Sequence, residues 1–151
     1  MLAAILDKFR DCYFFLHNTK DPDIVEKIMN EGFIFERQLS HSTDIINPAE
    51  PVEINYFLLL RKEYGNYTVI IAIPKITYDN YSGIANSTNV SIEDIMSITK
   101  PYCGDNDELV YTVSPKHVLG YFDDSTSEFF RNKNWDPFFN NYPGSQPGDN
   151  F

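Results

Sequence analysis

Apolar residues in this chain come in short runs broken by Asn, Asp, Gly and Pro, and the spacing changes between helical and extended. Residues 2–10 read as a short amphipathic helix feeding an aromatic-rich strand over 13–17. Asp21 is placed to cap a helix with Pro22 at its first position, and Ile24, Val25, Ile28 and Met29 share one face before Gly32 supplies the stop. Phe33-Ile34-Phe35 opens a second strand, and the polar stretch 37–51 reads as a long loop. Residues 53–64 read as a second helix with Tyr56, Phe57, Leu59 and Leu60 turned inward, ended by Gly65-Asn66. The β-branched run 68–73 predicts a central strand that Pro74 closes. Residues 75–89 show no usable period and read as irregular. Ser91-Ile92-Glu93-Asp94 has the form of a capping box opening a short helix. A turn-rich loop over 101–107 leads to a strand over 108–113, a helical turn at Ser114-Pro115 and a last strand over 119–122.

Strands and short helices interspersed with links of ten or more residues favour α+β over a regular βαβ alternation. The length of 151 residues suits one domain, expected over 1–131, with 132–151 as an irregular, flexible tail from which Trp135, Phe138 and Phe139 could dock on the body. An apolar share of 42% and an aromatic share of 15% are enough for a packed core. No run approaches the eighteen or so apolar residues of a membrane span, so no membrane partner is expected. The opening six residues break at Asp7 and lack a basic start and a cleavage site. That predicts a cytoplasmic protein, or one exported without an N-terminal signal peptide. Two cysteines are too few for a disulfide framework.

The net charge of −10 argues against tracking duplex DNA, whose affinity comes from Lys and Arg displacing counterions, and permits a basic partner. His17, His41 and His117 lack metal-ligand spacing, so no metal is expected, and the seven glycines form no phosphate-binding loop. His17 ends a strand just before a helix start, where a ligand can reach backbone and side chain together. The plainer reading is a partly buried imidazole satisfied by a carbonyl. Glu108 heads an otherwise apolar strand after a Gly/Asp/Asn loop, which places a carboxylate at a rim. A fixed negative charge favours an oxocarbenium-like transition state, while the plainer reading is a strand-edge charge facing water. Cys103 with His117 would be a thiol and a base, but no third orienting group accompanies them.

Leu16-His17-Asn18-Thr19, a helix and then Glu31-Gly32-Phe33, taken with Glu108-Leu109-Val110-Tyr111 and Ser114-Pro115-Lys116-His117-Val118-Leu119-Gly120-Tyr121, resemble the first and last signature strands of ADP-ribosyltransferases. The likeness spans about residues 14–122. It departs from the family at Asn18, where glycine is usual. The resemblance implies two packed, mainly antiparallel sheets with short flanking helices and a central NAD cleft. It also implies transfer of ADP-ribose from NAD to an acceptor with release of nicotinamide, an activity found among toxins and effectors. In that reading His17, Asn18 and Thr19 hold the nucleotide and Glu108, or its neighbour Asp107, stabilises the ribosyl cation. His17 and Glu108 are then expected on neighbouring strands, opening into one pocket. For the middle signature, Thr43 in Ser40-His41-Ser42-Thr43 and Tyr56 fall in the right interval. A protein acceptor is favoured over duplex DNA. The rival expectation is a non-catalytic interaction protein, such as an immunity or inhibitor protein, on the same fold.

Overall fold

The computed structural model describes residues 2–46 and 62–142. In chain order they form α1 (Leu2–Asp7), β1 (Cys12–Thr19), α2 (Pro22–Glu31), β2 (Phe33–Glu36), α3 (Leu39–Ser42) and β3 (Asp44–Ile46). A 3-10 turn at Lys62–Tyr64 precedes β4 (Tyr67–Pro74), α4 (Lys75–Thr88), α5 (Ile92–Met96), β5 (Tyr102–Cys103) and β6 (Leu109–Val113). A second 3-10 turn, Pro115–His117, leads to β7 (Val118–Asp123) and β8 (Glu128–Arg131). The strands make two antiparallel sheets, one ordered β3-β1-β4-β7-β8 and the other β2-β6-β5, so the architecture is α+β with short helices.

β4 is the middle strand of the larger sheet and is buried on both faces, which is why its sequence is a continuous apolar run instead of an alternation. On one face Val69, Ile71 and Ile73 join Phe15 of β1, Val25 and Ile28 of α2, and Phe33, Phe35, Tyr111 and Val113 of the smaller sheet. On the other face Ile70 and Ala72 join Phe14, Leu16, Leu119 and Phe122 under Leu2, Ile5 and Leu6 of α1. The first of these two cores holds both sheets and α2 together.

The signals around α2 are realised as read: the Asp21 carboxylate accepts from Asp23 N at 2.9 Å, and Gly32 closes the helix with φ of 104°. A Cβ on Gly32 would collide with the Val113 carbonyl oxygen, so this glycine also allows the tight entry into β2. Ser91 caps α5 by accepting from Asp94 N at 3.1 Å.

Three parts of the chain differ from the expectation. Residues 75–89 are not irregular: 14 of them form α4, which buries Thr77, Tyr81 and Ala85. The loop expected over 37–51 contains α3 and β3, and the loop over 101–107 contains β5. β8 was not expected at all; it pairs with β7 through Tyr121 opposite Phe130. Of the helix expected over 53–64 only 62–64 lie within the described residues, as a 3-10 turn, and Tyr56 lies outside them. Residues 132–142 contain no helix or strand, yet they are bonded to the body. Asn132 Nδ2 donates to the carbonyls of Met29 and Val118 at 3.0 Å, and Trp135 Nε1 to Ala72 O at 3.0 Å.

Candidate functional site

Strand alternation decides which way each residue of the first motif points. His17 lies on the face of β1 that carries Phe15, toward α2 and the smaller sheet, and Asn18 lies on the opposite face. The His17 ring packs against Phe33 with centroids 5.0 Å apart. Together with Ile24, Lys27 and Ile28 of α2 and Gly32, Phe33 and Ile34, it lines a cleft of about 220 Å³. Among the described residues of that lining Lys27 is the only charged one, which gives the cleft a cationic rim beside an apolar wall. Lys27 and Ile24 were not legible as site residues, because they are brought to His17 only by the docking of α2.

The other expected ligand-holding residues do not join this cleft. Asn18 Nδ2 donates to Gly65 O at 3.2 Å and to Thr68 Oγ1 at 3.0 Å, tying β1 to β4 and to the turn before it. Its Oδ1 is buried and has no hydrogen-bond partner among the described residues. Thr19 is nearly buried, and its hydroxyl accepts from Asp21 N at 3.2 Å, which shapes the entry to α2. Thr43 is buried and donates to Leu39 O at 2.8 Å, closing α3.

Glu108 immediately precedes β6 and accepts a hydrogen bond from Arg37 Nη2 at 2.6 Å. This contact raises the pKa of the Arg37 guanidinium further and leaves both side chains partly in solvent. Asp107 sits in the preceding turn with φ of 59°, its N–H donating to Gly104 O at 3.1 Å. His17 lies in the larger sheet and Glu108 just before a strand of the smaller one, so the two are not on neighbouring strands. His17 is at the Phe33 end of β2, and Glu108 is paired to Arg37 just past the other end. Four residues at about 3.3 Å each put roughly 13 Å of strand between them. Glu108 is not part of the lining of the His17 cleft.

His117 and Cys103 do not form a thiol-base pair. His117 is fully buried, its Nε2 sharing a 2.9 Å hydrogen bond with the Tyr81 hydroxyl, while Cys103 is an exposed free thiol on β5. Burial pushes the His117 pKa down to about 4, against a smaller opposing pull from Asp136, so the ring is neutral near pH 7. Among the described residues no group of three or more His, Cys, Asp or Glu could hold a metal ion, and no helix is long and apolar enough to cross a membrane.

Compared with known proteins, the chain matches no family model, no curated protein and no solved structure.

Proposed function

We propose that the chain is an ADP-ribosyltransferase-like domain that holds NAD at the His17 cleft and transfers ADP-ribose to an acceptor. The observation that carries this reading is His17 itself: the first motif's histidine opens into a cleft between α2 and the entry to β2, with the Lys27 ammonium at its rim. A cleft of about 220 Å³ is smaller than the 300–1,000 Å³ common for drug-sized ligands, so it suits one end of the dinucleotide. His17 would hydrogen-bond a ribose hydroxyl, and Lys27 would meet the pyrophosphate. The acceptor's nucleophile attacks the ribosyl carbon, and the bond to nicotinamide breaks with its electron pair leaving on the ring. Glu108 is the carboxylate that the resemblance assigns to oppose the developing positive charge, a role it could fill only by leaving Arg37 and reaching the His17 cleft. The net charge of −10 favours a protein or small-molecule acceptor over duplex DNA.

A second reading is favoured by one contact. The Glu108 carboxylate is already paired with Arg37 at 2.6 Å and stands at the far end of β2 from His17. A neutralised, distant carboxylate fits a non-catalytic interaction or inhibitor protein on this scaffold.

Thermal unfolding with and without millimolar NAD, followed by chromatography of released nicotinamide, separates the two. NAD is expected to raise Tm, with His17→Ala reducing the shift. Glu108→Gln should leave that shift intact and lower nicotinamide release by about a hundredfold. A Tm shift without turnover in the presence of candidate acceptors selects the non-catalytic reading. No shift at all overturns NAD binding and likewise favours the interaction-protein reading.

A further inference from the structure

A larger cavity, of about 490 Å³, lies on the other flank of α2, between that helix and the β7–β8 hairpin. Its floor is aromatic. Tyr121 and Phe130 face each other across β7 and β8 and stack with centroids 4.8 Å apart and planes 16° apart. Tyr67 and Tyr121 meet edge to face at 5.9 Å and 77°, so Tyr67, Tyr121 and Phe130 form one contiguous aromatic cluster along the cavity. Val25 and Met29 of α2 add an apolar wall.

Charge converges on that cluster. Glu26 from α2 and Asp123 from the end of β7 both line the cavity. Asp123 is fixed in orientation, because its Oδ1 accepts from Ser125 N at 3.0 Å and from Ser125 Oγ at 2.6 Å. Burial raises the Tyr121 pKa, and Tyr67, Asp123, Glu26 and Glu128 raise it further. Two cations border the same cavity, and they differ. The Arg131 guanidinium lies over Phe9 and Trp135, at 5.5 and 5.4 Å from their rings, on the opposite face of the sheet. Lys133 is exposed at the rim and is the charge a positive ligand would have to tolerate.

We propose that this cavity binds an organic ammonium cation carried on an apolar stem, with Tyr67, Tyr121 and Phe130 presenting their rings to the cation and Glu26 and Asp123 supplying the opposite charge. The negative face of an aromatic ring attracts a cation within about 6 Å, and the attraction grows as the cation is desolvated in a pocket. The apolar wall takes the stem. The net charge of −10 raises the local concentration of cations around the whole molecule. None of these residues takes part in the reaction proposed at His17, so the site stands or falls independently of it.

The ammonium could come from a free amine or from a lysine side chain of a partner, and two probes separate them. Choline and Nα-acetyl-lysine methylamide are titrated into the full chain while the ring signals of Tyr67 and Tyr121 are followed by NMR. The neutral carbon isostere of choline, 3,3-dimethylbutanol, serves as the control. Saturable shifts are expected for the cations and much weaker ones for the isostere, and the cation that saturates at the lower concentration names the source. Glu26→Gln should weaken binding severalfold. Lys133→Gln should tighten it, because a like charge leaves the rim. Both side chains are exposed, so neither change threatens the fold. Equal binding of the isostere, the reverse signs for the two variants, or no saturable shift with either cation overturns the proposal.

Discussion

At the scale of single residues, His117 has the sharpest consequence. The Tyr81 hydroxyl that meets its Nε2 also accepts from Asn141 N at 3.0 Å, and the Phe139 ring lies 5.1 Å away. His117 Nδ1 is buried with no hydrogen-bond partner among the described residues, so a proton added to the ring has poor company. The unfolded chain takes up that proton near pH 6.5, and the folded chain takes it up only near pH 4. Between those values the unfolded state binds more protons, so acid lowers stability across that window and the full contribution is present only above it. The loss sums to roughly 3 kcal/mol by pH 4. Urea unfolding at pH 7, 5.5 and 4.5 should show a steeper decline in the native chain than in His117→Gln, whose amide can still reach Tyr81. Parallel declines would mean that carboxylates alone carry the acid sensitivity. The Arg37–Glu108 pair is the opposite case. With side chains 59% and 30% exposed it is screened by water, so Glu108→Gln should leave the unfolding midpoint nearly unchanged. A loss of nicotinamide release in that variant would then report on chemistry and not on folding.

Among the elements, two glycines make opposite demands. Gly32 has a φ of 104°, and a Cβ there would press on the Val113 carbonyl, a backbone atom with nowhere to go. Gly32→Ala is expected to destabilise by about 2 kcal/mol or more. Gly83 lies inside α4 with nothing within 4 Å of where a Cβ would stand, so Gly83→Ala should stabilise by roughly 0.5–1 kcal/mol. Chemical denaturation of the two variants checks both signs. The same contrast explains what could be read from the chain. α2 announced itself because its cap, its first-position proline, its apolar face and its terminating glycine all sit within twelve residues. α4 did not: Thr, Tyr, Asn, Ser and Gly are indifferent helix formers, and only the burial of Thr77, Tyr81 and Ala85 against the body makes the segment a helix. β8 is a four-residue edge strand with a polar residue at each end, and nothing local distinguishes it from a turn. His17 was visible because a strand end before a helix start is a local pattern. The Arg37–Glu108 pair was not, since 71 positions separate its partners and only the pairing of β2 with β6 joins them.

For the molecule as a whole, the question is where the domain ends. The last strand stops at Arg131, yet the next eleven residues supply hydrogen bonds to the body. Asn132 Nδ2 donates to the carbonyls of Met29 and Val118 at 3.0 Å and shares one of its two hydrogens with Pro115 O at 3.2 Å, joining α2 to the second 3-10 turn and the strand entry that follows it. Trp135 caps the second core beside Phe9 at 5.4 Å and donates to Ala72 O of the central strand. Asn141 Nδ2 donates to Ile95 O at 3.0 Å and Met96 O at 2.7 Å, satisfying the C-terminal carbonyls of α5. Each of these hydrogen bonds is worth about 0.5–1.5 kcal/mol net, and exposing the apolar surface beneath Trp135 adds more. A chain cut after residue 131 should therefore be less stable than one cut after residue 142 by several kcal/mol, enough to leave a marginal domain largely unfolded. Circular dichroism and urea unfolding of the two truncations decide it. Equal midpoints would place the folded unit's limit at Arg131. The expected loss would make residues 132–142 a strap that joins α2, α5 and both cores, so that the helix lining the two proposed binding sites is held in place from the C-terminal side.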